Sequence, residues 1–204
     1  MRKILLCILL IIEIIITGTV YSSSITNELS SNLIRLHILA NSDSDYDQNI
    51  KLDVRDFLID NINASNINSK IDCIKSLNYF EDKINEYLFK NKVNYKAYVS
   101  YDTKYFTTRN YKDIKLPQGN YECIKIILGE GKGKNWWCVA YPSLCFTKST
   151  LGEISKAEKE KLYDILSGES AKIITEDKLE FKIKFKTIEI FNKMNERLKN
   201  MVDK

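Results

Sequence analysis

One segment limits what this chain can become. From Gly129 to Phe146 it reads Gly-Glu-Gly-Lys-Gly-Lys-Asn-Trp-Trp-Cys-Val-Ala-Tyr-Pro-Ser-Leu-Cys-Phe. Both Trp residues, two of the five Cys and one of the two Pro are spent here. Trp and Cys bring large packing or bonding demands, so a chain that gathers them in one stretch is building a rigid local structure. The pattern predicts a strand over Tyr121–Leu128, a Gly-dependent turn that exposes Lys132 and Lys134, and a strand over Trp136–Tyr141, paired as a hairpin. The Gly/Lys run is not a phosphate loop. That motif needs Gly-x-x-x-x-Gly-Lys-[Ser/Thr] opening a helix, and here Asn135-Trp136-Trp137 opens a strand.

The N-terminus carries an address. Arg2 and Lys3 precede an apolar run from Ile4 to Val20, interrupted by Glu13, Thr17, Gly18 and Thr19. As a helix those residues span about 25 Å, slightly short for a permanent anchor. Small residues Ser22, Ser23 and Ser24 follow. Residues 1–22 therefore read as a signal peptide, with an uncleaved signal anchor as the alternative. Residues 23–32 read as a polar linker. An exported chain meets a compartment where disulfides persist, and Cys138 and Cys145 are the plausible pair; two buried free thiols are the equal alternative.

The chain has 204 residues and a formal net charge of +4. Lys is interspersed with Asp and Glu almost everywhere, so no basic stripe tracks a phosphate backbone and nucleic acid is not an expected partner. Ile34, Leu36, Ile38 and Ala40 alternate with Arg35 and His37, which predicts a half-buried strand. Asp45 with Gln48 reads as a helix cap, followed by a helix to about Ile62. A second helix is expected from Ile71 to Leu88. Tyr95–Tyr101 alternates as a strand, and Leu116-Pro117-Gln118-Gly119 marks a turn. A Ser155 cap opens a helix to Leu166, a strand follows over Leu179–Phe185, and Ile188 to Met201 closes as a helix. The fold class is α+β: a largely antiparallel sheet with helices on one face, preceded by the N-terminal signal or anchor helix. Residues 33–150 are expected to form the core domain, and 151–204 a helix–strand–helix completing it.

His37 is the only histidine. That removes the common catalytic zinc sites, which need two or three His ligands. No Gly-x-Ser-x-Gly elbow presents a nucleophile. Asp43, Asp45 and Asp47 open like a calcium loop, but Gln48 stands where the turn Gly is needed and Val54 where the bidentate Glu is needed. Carboxylates at a helix N-terminus explain them better. The chain is thus expected to be no enzyme and to need no metal or cofactor. The alternative is a secreted hydrolase using His37 and the Asp43/Asp45/Asp47 cluster.

The residues also resemble a known family. Ile34-Arg35-Leu36-His37-Ile38-Leu39-Ala40-Asn41-Ser42-Asp43-Ser44, then Asp47-Gln48 and Lys51-Leu52-x-Val54-Arg55-Asp56, resemble the opening of the stage II sporulation protein R family. Arg109-x-Tyr111 and Leu116-Pro117-x-Gly119-x-Tyr121 resemble its middle. The strongest block is Gly129-Glu130-Gly131-Lys132-Gly133-x-Asn135-Trp136-Trp137-Cys138-Val139 with Pro142 and Leu144-Cys145-Phe146. Phe185-Lys186 and Glu189 match a weaker last block. Phe106-Thr107 stands where the family tends to have an aromatic-Pro pair, and Pro142-Ser143 where it has Pro-Pro.

The resemblance implies a protein made in the forespore and exported across its membrane into the intermembrane space, or tethered there if the signal is uncleaved. There it would trigger a membrane-embedded aspartic protease of the mother cell, the sigma factor processing peptidase, which removes the pro-segment of sigma-E. The membrane would be met only through the N-terminal segment. Arg35, His37, Arg109, Lys132, Lys134, Trp136 and Trp137 are the expected contact residues.

Overall fold

Ile34–Leu39 form strand β1, and the strand lies inside a sheet with both of its faces buried. The computed structural model describes residues 1–65, 67, 69–111, 113–145 and 156–202. Phe146 and the expected Ser155 cap lie outside the described residues. β1 pairs in parallel with β5 (Gly119–Leu128), in register Leu36↔Ile124 and Ile38↔Ile126. On its other side it pairs antiparallel with β6 (Asn135–Tyr141), in register Leu36↔Cys138 and His37↔Trp137. β2 (Ala97–Phe106) completes the order β2-β5-β1-β6.

The fold class is α+β, with a mixed sheet. The expected β5–β6 hairpin is corrected, because β1 sits between the two strands. The half-buried reading of β1 is corrected with it. A polar–apolar alternation is also what a central strand shows when its polar side chains find partners inside, as Arg35 and His37 do below.

A parallel pair needs a long crossover, and helices supply it between β1 and β5. α2 is Asp45–Ala64, α3 Lys70–Lys75 and α4 Leu77–Lys90. The cap of α2 is Ser44, whose hydroxyl accepts from the Asp47 N–H at 3.2 Å, so the expected Asp45/Gln48 pair was out of register by one residue. The expected second helix breaks in two at Ser76, whose N–H closes α3 on Asp72. Val54, Leu58, Phe80, Ile84 and Leu88 from α2 and α4 cover Ile34, Leu36, Ile38, Ile124 and Ile126, and this is the main core. At the sheet edge, the Ala97 N–H donates to Asn85 Oδ1 at 2.8 Å and the Val99 N–H to Glu81 Oε2 at 2.7 Å. These α4 side chains occupy edge groups that could otherwise pair with another chain.

The chain divides into two compact units. One holds residues 32–104 and 121–162, hence the sheet and α2–α4. The other holds residues 1–31, 105–120 and 163–204. In it, β3 (Arg109–Tyr111) pairs antiparallel with β4 (Ile114–Leu116). After α5 (Lys156–Ile165) come α6 (Gly168–Thr175) and α7 (Leu179–Val202). The strand expected over Leu179–Phe185 is corrected: these residues open α7. Leu179 and Ile183 are exposed, while Phe181 and Ile188 are buried seven residues apart on one helical face. The alternation was a chance sampling of that face, and Lys184 pairs with Glu180 four residues back.

α1 runs unbroken from Arg2 to Asn32, so the stretch 23–32, expected as a polar linker, is helical. Ser22, Ile25, Thr26 and Leu29 are buried. Ser22 Oγ donates to Asn192 Oδ1 at 2.6 Å, and Asn192 Nδ2 donates to Thr26 Oγ1 and to the Gln118 carbonyl. Ser170 Oγ donates to Glu28 Oε2 at 2.6 Å, at the start of α6. These buried partners are what hold the helical register through a polar sequence. The apolar residues from Ile4 to Val20 stay exposed, and the helix is long and apolar enough to cross a membrane, a test that signal sequences also pass.

Candidate functional site: a glycine strap and an aromatic sheet face

Because β1 lies between β5 and β6, residues 129–134 must cross the exit of β1, and they are bonded to it along their length. The Glu130 N–H donates to Asn41 Oδ1 at 2.9 Å, Lys132 N–H to the Asn41 carbonyl at 3.1 Å and Gly133 N–H to the Ala40 carbonyl at 2.9 Å. The Lys134 N–H donates to Asp43 Oδ1 at 2.7 Å, and Lys51 Nζ donates to the Lys134 carbonyl at 3.0 Å. Gly129 and Gly131 have φ of 56° and 64°, where a side chain is strained. A Cβ on Gly133 would lie 2.2 Å from the Ser42 carbonyl oxygen. The run is a strap clamped to the β1–α2 loop, not a free hairpin tip.

Asp47 sits at the centre of that clamp. Its carboxylate accepts from Ser42 Oγ at 2.6 Å, Asn41 Nδ2 at 2.8 Å and the Tyr95 hydroxyl at 2.7 Å. Burial alone would raise its pKa; the hydrogen bonds outweigh burial and hold it below the usual carboxylate value. Lys51 is lowered by burial, with Lys134 and Arg55 adding to the effect and Asp43 opposing it.

The two sheet faces divide the aromatic residues. Trp136 faces the helices, with the Arg55 guanidinium 5.4 Å from its ring centre. Trp137 faces the other way and stacks on His37, ring centroids 3.7 Å apart and planes at 10°. Both indoles are half-buried. Lys104 Nζ lies 5.7 Å from the Trp137 ring centre. His37 and Arg35 are wholly buried. His37 Nε2 bonds Asn135 Oδ1 at 2.6 Å, and its Nδ1 has no hydrogen-bond partner. Burial lowers its pKa to about 4, helped by Lys104 and Lys125 and opposed by the Asn135 bond, so the ring is neutral near pH 7. Arg35 Nε donates to the Cys138 carbonyl at 3.2 Å, and its guanidinium lies 5.1 Å from the Tyr121 ring centre.

The expected contact residues therefore fall into three groups. Lys132 and Lys134 are exposed on the strap, Lys132 paired with Glu130 at 2.8 Å. Trp136 and Trp137 are half-buried on opposite faces. Arg35 and His37 lie inside and support the surface from beneath. Arg109 is on β3, in the other compact unit. Cys138 and Cys145 are joined as a disulfide with Cα atoms 5.7 Å apart. Cys73 and Cys123 are buried free thiols, and burial pushes Cys73 up to about 12.

The structure adds Lys104, Lys125, Asn41 and Asn135, which the sequence reading passed over. Lys125 lies on a strand that pattern predicts, whereas Lys104 falls three residues past the strand expected over Tyr95–Tyr101; the register sets Lys125 opposite His37, and the fold brings Lys104 to the Trp137 ring.

Of the residues of the hydrolase alternative, Asp43 and Asp47 both serve the clamp, and His37 bonds the Asn135 carboxamide. Asp43 bonds the strap backbone, Asp45 lies in the first turn of α2, and Asp47 accepts from Ser42, Asn41 and Tyr95. Among the described residues no group of three or more His, Cys, Asp or Glu could hold a metal ion.

Residues 30–151 match the model of a family described as stage II sporulation protein R. Among curated proteins, the stage II sporulation protein R of Bacillus subtilis (strain 168) is 39% identical over 140 residues, which cover 63% of this chain and 60% of that protein. The match thus spans about three-fifths of the relative's length. No solved structure matches. The family region contains the strap, the His37–Trp137 stack, Arg109 and the disulfide; α6 and α7 lie beyond it.

Proposed function

Because this chain belongs to the stage II sporulation protein R family, we propose that it is an exported sporulation signal that acts by contact. Its target is a membrane-embedded aspartic protease of the mother cell, which then processes the precursor of sigma-E. The protein works from the space between the forespore and mother-cell membranes, reached through the N-terminal apolar helix.

The observation that carries this reading is the family match over a region whose chemistry is spent on shape. Asp47, Asn41, His37 and Asn135 are engaged in holding the strap and the aromatic face in place. A surface held rigid in advance loses little freedom on binding. It can shift the protease toward its active state only by binding that state better, about 5.5 kcal/mol better for a change from 1:99 to 99:1. Lys132, Lys134, Trp136 and Trp137 offer the contact in the sheet-bearing unit, with Arg109 in the other.

The test is precursor processing in cells that make the protease and the sigma-E precursor outside sporulation, with and without this protein. Cleavage that appears only when the protein is exported supports the reading. No cleavage, with the protein shown to be exported and folded, sinks it.

A further inference from the structure

Resting on that reading, we infer that the receptor docks on the sheet face that carries Trp137, Lys104 and Lys125, and that the docking element is an acidic segment of the receptor. Carboxylates of that segment pair with the two lysines, and an apolar side chain beside them covers the Trp137 indole.

Three observations converge on this face. The first is charge. Lys70, Lys83, Lys90 and Lys132, in the same unit, each pair with a carboxylate of this chain. Among the described residues Lys104 and Lys125 make no such pair, and Lys104 Nζ lies at the Trp137 ring. Asp102, two residues before Lys104 on β2, has its Oδ1 turned to the Thr103 N–H at 2.7 Å. Lys104 therefore stands half-buried at the Trp137 indole and Lys125 half-buried in register with His37, and among the described residues neither makes an ion pair. A half-buried lysine that reaches no acid has already lost part of its water, and an acidic partner restores the missing interaction.

The second is the indole itself. Trp137 is a large aromatic on a face that α2–α4 do not cover, and aromatics so placed dominate the energetics of protein contacts. The third is pre-organisation. His37 stacks under Trp137 with its ring fixed by Asn135, so the indole is held in one orientation before any partner arrives. The strap borders this face: a Cβ on Gly131 would meet the Ile127 side chain at 2.7 Å and the Leu39 Cβ at 3.9 Å, two residues on the His37 side of the sheet.

The experiment uses the full chain in the precursor-processing assay, together with co-purification of the chain with the detergent-solubilised protease. The Lys104→Glu/Lys125→Glu variant is expected to lower both precursor cleavage and recovery of the protease at least tenfold. Lys104→Gln/Lys125→Gln, which keeps the face neutral, is expected to lose less, and Lys104→Arg/Lys125→Arg to stay near wild type. Lys83→Glu/Lys90→Glu, on α4, controls for net charge and is expected to leave both readouts unchanged. Equal unfolding midpoints show that the variants are folded.

Wild-type cleavage by the folded charge-reversed variant overturns the docking face and leaves the signalling reading standing. Absence of cleavage with the wild-type protein overturns the signalling reading, and the docking face with it. If the wild type binds phosphatidylglycerol vesicles in a Lys104- and Lys125-dependent way while recovery of the protease ignores both residues, the face belongs to a lipid surface and the inference is wrong.

Discussion

The imidazole of His37 lies flat on the indole of Trp137, centroids 3.7 Å apart, across the antiparallel pair β1–β6 in which the two residues are direct register partners. The stack joins the buried centre of the sheet to its half-exposed face. Burial disfavours the charged ring, so the imidazole in the stack is neutral near pH 7.

That relationship sets a pH dependence. His37 titrates at about 4 in the fold, against an ordinary value of 6.5. Between those values the unfolded chain binds a proton that the folded chain does not, so the contribution of His37 to stability is whole above about pH 6.5 and falls as the pH drops toward 4. Denaturant midpoints measured from pH 7.5 to 4 are expected to decline, and a His37→Gln variant is expected to show a shallower decline. Parallel curves for the two proteins would remove His37 as the cause.

Gly133 is expected to tolerate no side chain. A Cβ there would approach the Ser42 carbonyl oxygen to 2.2 Å, and backbone on both sides cannot yield cheaply. Gly133→Ala should lower stability by about 2 kcal/mol, the range of an overpacked site. Gly168→Ala is the matched control: its Cβ meets nothing within 4 Å, so thermal unfolding should be unchanged or raised slightly.

The Cys138–Cys145 bridge closes a short loop, with a sequence separation of 7. Loop closure of that size contributes about 2 kcal/mol by constraining the unfolded chain. Alkylation without reductant, followed by mass spectrometry, is expected to leave these two cysteines unlabelled. The Cys138→Ser/Cys145→Ser variant should unfold at a lower denaturant concentration. Labelling of both in the unfolded, unreduced protein would contradict the bridge.

Asn192 gathers Ser22, Thr26 and the Gln118 carbonyl in one buried knot. Asn192→Ala removes three hydrogen bonds, those to Ser22, Thr26 and the Gln118 carbonyl, and should destabilise the fold by about 2 kcal/mol. Ile190→Ala, two residues away and exposed, should change stability by less than about 0.5 kcal/mol. Equal effects from the two substitutions would mean that α1 is not held through Asn192.

Much of the fold was legible in one dimension, for a physical reason: local chemistry leaves local marks. The apolar run from Ile4, the cap region before α2, the spacing of Val54 and Leu58 and the glycines of the strap each announce a structure made by neighbours in the chain. The two-residue period of a strand also placed Ile124, Ile126 and Leu128 on one core face. Where two periods fit the same residues, as at Leu179–Phe185, the pattern misled, because the packing partners of Phe181 and Ile188 lie outside the window that shows the alternation.

What the sequence by itself determined was the composition of the site: a Gly/Lys run, a Trp pair, a Cys pair and a lone histidine. What only the tertiary structure decided was their arrangement. Insertion of β1 between β5 and β6 turns an apparent hairpin into a strap, buries Arg35 and His37 in the sheet, and sets Lys104 beside Trp137. Strand order and register are fixed by contacts between residues far apart in the chain, and such contacts leave no trace in the spacing of neighbours.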